Sequence, residues 1–228
     1  MLALLYDIHG NLVALEEVLK DAEAAGAEAY LLGGDFASFS PWPVETIERL
    51  RELPNTTWIR GNGERWLREP PRDRPEVMAA FQELDAGLGT YEDLLYSLQA
   101  EFERDGVLYV HGSPLSDVES FPPEPSADDE RMLNGVRDKT VVFGHSHQQF
   151  RRPGPNGTTL VNPGSVGMPL DGDHRASYAL MHDDGTLEHR RVGYDHVRVP
   201  VALRSAYGDA PWVDVIEKRF ETATLEGS

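Results

Sequence analysis

The chain has 228 residues, no cysteine, a hydrophobic share of 40% and a formal charge of −18. That length suits one large domain, or one domain with a smaller insertion; the missing thiols exclude disulfides and thiolate metal sites, and the charge opposes general nucleic-acid binding. No apolar run approaches a bilayer span and no basic segment precedes the short apolar start, so neither anchor nor leader is expected and the cytoplasm is the expected compartment.

In chain order, Leu2 to Tyr6 reads as a buried strand followed by DIHGN. Leu12, Leu15, Val18, Leu19 and Ala22 then recur at helical spacing, with Asn11 as cap and Gly26 as stop. A strand at Ala29 to Leu32 runs into GGD, a helix is expected from Pro43 to Leu53 with Pro54 closing it, and a strand at Thr56 to Arg60 runs into GNGE. This β-α-β-α-β opening predicts parallel strands with right-handed crossovers. Residues from about Glu64 to Ala100 read as a helical, irregular insertion or cap, with Trp66, Tyr91 and Tyr96 packing it on the main body. Strands return in VLYV before HGSP, TVVF before GHSH, and TTLV before NPGSVG. Ser113 to Ala127 reads as a surface loop, RASYALMH and TLEHRRVGY as a hairpin turning at Asp183 to Gly185, and Trp212 to about Thr222 as a last helix. The whole chain, 1–228, is read as one domain with its insertion at about 64–100.

Five of the predicted strands run into glycine-containing loops that carry the same kinds of side chain. Asp7 and His9, Asp35, Asn62, His111, and the pair His145 and His147 all follow predicted strands directly. In an α/β sheet those loops emerge along one edge, so residues distant in sequence are expected to meet there. Each motif alone also fits an ordinary polar turn; their recurrence at one edge points to a metal site. Mixed imidazole, carboxylate and amide donors suit manganese, iron, zinc or nickel better than an all-oxygen magnesium cage. The donors are too many for one open tetrahedral ion, and a carboxylate can bridge a pair of ions that clamp the two oxygens of a phosphoryl displacement. Hydrolysis of a small phosphate ester is the expected use. The acidity of the chain does not oppose this, because bound cations reverse the local charge.

The ordered set D-x-H, GD, GN-x-E, H-G and GHxH, followed by NPGSVG, resembles the calcineurin-like metallophosphoesterase superfamily, and its small bacterial and archaeal phosphodiesterase-like branch in particular. The resemblance covers most of the chain, from Asp7 through the terminal hairpin. It implies a four-layer α-β-β-α sandwich of two mixed β-sheets faced by helices, with the metal site at the C-terminal ends of the strands. It further implies that Asp7, His9 and His147 hold one ion, that Asn62, His111 and His145 hold the other, and that Asp35 bridges them. The activity implied is in-line attack of a metal-bridging hydroxide on phosphorus, with Asn62 and His111 gathering charge and manganese the leading metal.

The chain departs from the pattern at IRGNGER, where Gly63 replaces the histidine that the superfamily often places beside the scissile bond. Lost acid assistance, typically worth about 10²–10⁴-fold, favours diesters and activated monoesters over alkyl monoesters. Glu64 is then expected to serve as a helix-start carboxylate. Two other readings stand beside this one, the first left open by the same glycine and the second keeping the chemistry with a different substrate. One is a metal-binding scaffold for protein interaction, as in a retromer subunit of this fold; the other is a phosphoprotein or dinucleotide polyphosphate phosphatase. NPGSVG is expected to be a structural turn at the rim, although its backbone amides could face an anion. Arg151 and Arg152 are expected to be solvated, with a phosphate contact as the lesser alternative. His174, His182, His189 and His196 are expected to stay outside the chemistry.

Overall fold

The computed structural model describes residues 1–71 and 75–225. Strand β1 (Leu2–Leu5) leads through Asn11, whose Oδ1 accepts the Ala14 N–H at 3.1 Å, into helix α1 (Leu12–Ala24). The apolar spacing buries Ala14, Leu15, Val18, Leu19 and Ala22. Strand β2 (Ala29–Leu32), helix α2 (Pro43–Arg51) and strand β3 (Thr56–Trp58) complete the expected opening, and β1, β2 and β3 pair in parallel. The next segment contains helices α3 (Asn62–Trp66) and α4 (Pro75–Leu84), a 3₁₀ turn at Asp85–Leu88, and helix α5 (Glu92–Tyr96). Trp66 is buried edge-on against Phe81, and Tyr96 lies between the guanidinium groups of Arg60 and Arg68.

A second sheet follows. Strand β4 (Glu101–Arg104) is antiparallel to β5 (Val107–Val110); a short helix α6 (Asp129–Met132) precedes β6 (Thr140–Val142), β7 (Phe150–Pro153) and β8 (Thr159–Asn162). Its order is β4-β5-β6-β8-β7, with β5, β6 and β8 parallel. The hairpin β9 (Ala176–Met181) and β10 (Leu187–Val192) returns to the first sheet, giving the order β10-β9-β1-β2-β3. Helices α7 (Arg198–Tyr207) and α8 (Pro211–Thr222) end the described chain. Helix α7 has no counterpart in the sequence reading, and neither do the edge strands β4 and β7.

Strand alternation sorts the core into layers. Leu4 and Tyr6 of the first sheet face Tyr109, Val142 and Val161 of the second, while Ala3 and Leu5 pack under α1 and α2. Leu108, Val110 and Val141 face outward against Met132 and Leu133. The result is the expected four-layer sandwich. A separate apolar cluster joins α4, α7 and α8 to Met168 and Leu170. No helix among the described residues is long and apolar enough to cross a membrane.

One expectation is corrected here. Arg151 is exposed, but Arg152 is buried and makes a two-pronged pair with Asp129 at 2.8 and 2.9 Å, also donating to the Pro122 carbonyl. In a strand of period two, consecutive arginines must point to opposite faces, and the inward one needs a partner. Replacing Arg152 by Met leaves the Asp129 charge buried and alone, so unfolding by urea should show a loss of about 3–5 kcal/mol. The double replacement Arg152→Met with Asp129→Asn should recover most of it.

Candidate metal centre

The seven predicted residues meet at the shared edge of the two sheets, and their backbone is unusual. Asp7, His9, Asp35, His145 and His147 all adopt positive φ, between 50° and 65°. Left-handed backbone costs an L-residue about 1–2 kcal/mol, and such conformations persist where the surroundings over-determine them. Here the loops hold one another: Asp7 N–H donates to Gly34 O, His9 N–H to Asp35 O and Gly10 N–H to Phe36 O, at 3.1, 2.9 and 2.8 Å. The NPGSVG turn closes over them. Ser165 Oγ donates to Asp7 O and accepts the Met168 N–H, and a Cβ on Gly167 would stand 1.8 Å from the Ile8 carbonyl oxygen. Only glycine permits that approach, so the turn is structural, as expected.

Three of the candidate ligands, His147, His111 and Asp7, are aimed by partners behind them. His147 Nδ1 faces Met168 O at 2.7 Å and His111 Nδ1 faces Gly33 O at 2.9 Å, which turns both Nε2 atoms inward. Asp7 Oδ2 accepts the His145 N–H at 3.0 Å, while its Oδ1 is buried without a hydrogen-bond partner and lies 3.4 Å from His147 Nε2. His9 Nε2 is 3.0 Å from His147 Nε2. On the other side, the inward atom of the Asn62 amide lies 3.1 Å from His111 Nε2 and 2.8 Å from His145 Nδ1. Asp35 stands between, with Oδ2 3.9 Å from His9 Nε2 and Oδ1 3.5 Å from His111 Nε2.

These contacts fit cations. Within Asp7, His9 and His147, and within Asp35, His111 and His145, the ligand atoms lie within 4.8 Å of one another. Donors held about 2.0–2.2 Å from one ion stand roughly 3–3.5 Å apart, and the His9 Nε2 to His147 Nε2 and His147 Nε2 to Asp7 Oδ1 separations of 3.0 and 3.4 Å fall in that range. The Asn62 amide makes the same point: with its oxygen inward it meets ring nitrogens and the Asp117 carbonyl, and only its reversed NH₂ would bond to all three. Inward oxygen is the orientation a cation demands. The Nδ1 atom of His9 and Oδ1 of Asp7 are left without hydrogen-bond partners, a cost that a ligated ion removes for Asp7.

The electrostatics agree. Burial pushes His9 and His145 down to about 4, so both imidazoles are neutral and able to coordinate near neutral pH. Burial also opposes charge on His111, but Asp35 and Asp7 outweigh it and push that group up to about 10. The proton on His111 therefore occupies the place a cation would take. Cation binding at pH 7 to 8 should release about one proton per molecule, and affinity should rise about tenfold per pH unit across that range. Calorimetry in buffers of different ionisation enthalpy reads the first quantity directly.

Glu64 does more than the sequence suggests. It caps α3 by accepting the Gly61 N–H at 2.8 Å, and it also accepts the Asp35 and Phe36 N–H groups at 2.9 and 2.8 Å. It thus ties the start of α3 to the loop after β2. Arg65, the next residue, grips Asp117 through Nε at 2.6 Å and Nη2 at 2.8 Å. Its proton is held more firmly than in free arginine, by Asp117 first, against burial, with Glu69 and Asp35 adding to the hold. Neither Asp117 nor the aiming carbonyls of Gly33 and Met168 carries a signal in the sequence. His174 and His196 stack on each other, His182 faces Glu188, and His189 lies on β10, so none of the four enters the site.

Comparison with known proteins agrees with this arrangement. The profile of the calcineurin-like phosphoesterase superfamily domain matches residues 1–185. An uncharacterized protein of Methanocaldococcus jannaschii is 25% identical over 218 residues, covering 86% of this chain and 88% of its own. A metallophosphoesterase from Sphaerobacter thermophilus superposes with a TM-score of 0.81 at 25% identity, over 98% of this chain and 99% of that one. A hypothetical protein from Pyrococcus horikoshii gives 0.80 at 21% identity, over 95% and 98% of the two chains. With the match covering most of its length and the loops that carry the candidate ligands at the edge of two mixed sheets, the chain belongs to the calcineurin-like phosphoesterase superfamily, whose members are metal-dependent.

Proposed function

We propose that the protein is a dinuclear phosphodiester hydrolase, with Asp7, His9 and His147 serving one ion, Asn62, His111 and His145 the other, and Asp35 shared. The observation that carries this is Asp35, whose two carboxylate oxygens face the two ligand groups separately. Manganese is the ion proposed; the mix of imidazole, carboxylate and amide donors suits it, as it suits iron, zinc or nickel. When bound, the ions supply Lewis acidity toward phosphoryl oxygens and lower the pKa of water.

The chain's own residues do the rest. His9 and His145 present neutral nitrogens, Asp7 and Asp35 bring the negative charge that holds the cations, and Gly33 O and Met168 O keep the His111 and His147 rings aimed. Asn62 and His111 lie side by side, 3.1 Å apart, and together orient the ester. The reaction adds water across one P–O ester bond; a phosphomonoester and an alcohol leave, and solvent returns a proton to the departing oxygen. Gly63 supplies no acid for that proton, so diesters and activated monoesters are favoured over alkyl monoesters.

The test is turnover by metal-stripped protein reloaded with manganese, comparing bis-nitrophenyl phosphate with nitrophenyl phosphate and with an alkyl monoester. Diester hydrolysis that depends on added metal, with the alkyl monoester the poorest substrate, is the expected result. Two bound ions with no turnover of any ester would move the reading to a metal-binding scaffold.

A further inference from the structure

Position 63 itself supplies no side chain, and in this structure it stands tight against the shared carboxylate. The Gly63 N–H donates to Asp35 Oδ1 at 2.7 Å, and a Cβ there would stand 2.9 Å from the same oxygen. Any side chain at 63 would push against the shared carboxylate. A group that meets the substrate phosphate must come from a neighbouring position.

The first turn of α3 offers one. Asn62 and Arg65 are three residues apart on this helix, a spacing that puts them on one face with Cβ atoms about 5–6 Å apart. Both lie against the same residue: the inward atom of the Asn62 amide is 3.1 Å from the Asp117 carbonyl oxygen, and Arg65 grips the Asp117 carboxylate with two N–H groups. The guanidinium is therefore fixed beside a predicted metal ligand rather than loose on the surface. Its side chain is 25% exposed, and Nη1 makes only a 3.9 Å approach to Glu69, so one edge of the fork keeps donors available.

We propose that Arg65, held in place by Asp117, is the cationic substrate-binding group of this site, contacting a non-bridging oxygen of the phosphate where the superfamily often uses a histidine. The proposal rests on the phosphodiesterase reading and adds to it. A guanidinium is a planar, permanently charged fork suited to phosphate oxygens. It does not give up its proton near neutral pH, so it assists phosphate binding and charge development and does nothing for the leaving oxygen. Two properties then separate: Arg65 sets how well every diester is bound and turned over, while Gly63 leaves the dependence on leaving-group acidity steep.

The experiment uses the full chain loaded with manganese, with Arg65→Gln and Arg65→Lys as variants. Two measurements are made: turnover of several aryl diesters whose phenols differ in acidity, and calorimetric binding of inorganic phosphate. Arg65→Gln is expected to lower kcat/KM by about 10²-fold and by the same factor for every diester. Phosphate binding should weaken, manganese content should stay at the wild-type level, and Arg65→Lys should be intermediate. Unchanged turnover and phosphate affinity in Arg65→Gln would overturn the proposal. So would a loss of activity that follows a loss of manganese in both variants, because Arg65 would then only brace the Asn62 helix. If wild type binds phosphate but hydrolyses no diester, the functional reading fails, while the phosphate titration of Arg65→Gln still decides the role of Arg65.

Discussion

Asp35→Asn should lower kcat/KM for a phosphodiester by at least about 10³-fold, roughly 4 kcal/mol of lost charge stabilisation, and reduce manganese content below two ions per chain. The reason is the shared position of this carboxylate. One oxygen faces His9 and the other faces His111, and an amide offers one oxygen and no charge. The fold should not suffer. Asn keeps an oxygen for the Gly63 N–H, which Asp35 now accepts at 2.7 Å, and it removes a negative charge buried among Asp7 and Glu64. In the presence of a chelator, the variant should therefore melt no lower than wild type. Thermal unfolding and metal analysis of the same preparation check both halves, and a variant that retains two ions and full turnover would remove Asp35 from the shared position.

Glu64→Ala should have the opposite character, a large loss of stability that carries activity with it. Three backbone N–H groups from two separate segments converge on one buried carboxylate. Leaving buried donors without an acceptor costs about 1–3 kcal/mol each, so a total of roughly 3–5 kcal/mol is expected, at the upper end for single substitutions. In a chain of this length that lowers Tm by about 10 °C or more. Glu64→Gln should fall between: its oxygen can serve two of the donors, but its NH₂ then faces the third.

The pH dependence of the metal-free protein tests the same residue. Burial first, then the charge of Asp35, pushes Glu64 up to about 7 from 4.5, although the three N–H groups pull the other way. Its native pKa lies above the unfolded value, so the native state binds more protons in that window. The contribution of Glu64 is present below about pH 4.5 and is lost as pH rises toward 7, and Glu64→Gln should abolish that part of the slope. Denaturant titrations of chelated protein across this range measure it.

Much of the centre was legible because strand ends and their ligands are local features. The run Val141 to His147 announces both a buried strand and two donors, and the same holds for Asp7 with His9 and for Asp35. The opening β-α-β-α-β pattern was equally plain, since apolar period and capping residues lie within one window. The edge strands β4 and β7 and helix α7 were not, because their form depends on a partner: β4 is mostly exposed, β7 alternates around Arg152, and α7 packs on α8. Arg152 shows the limit clearly, for its burial is decided by an aspartate 23 residues earlier.

The sequence by itself determined the family, the two-sheet architecture and the identities of the candidate ligands, since these rest on residue type, periodicity and order along the chain. The tertiary structure alone decided that Asp35 turns one oxygen toward His9 and the other toward His111, that Glu64 joins the α3 start to the loop after β2, and that Arg65 and Asn62 both approach Asp117. Those relations depend on distances of a few ångströms between segments far apart in the chain, and only the packing of the two sheets sets such distances.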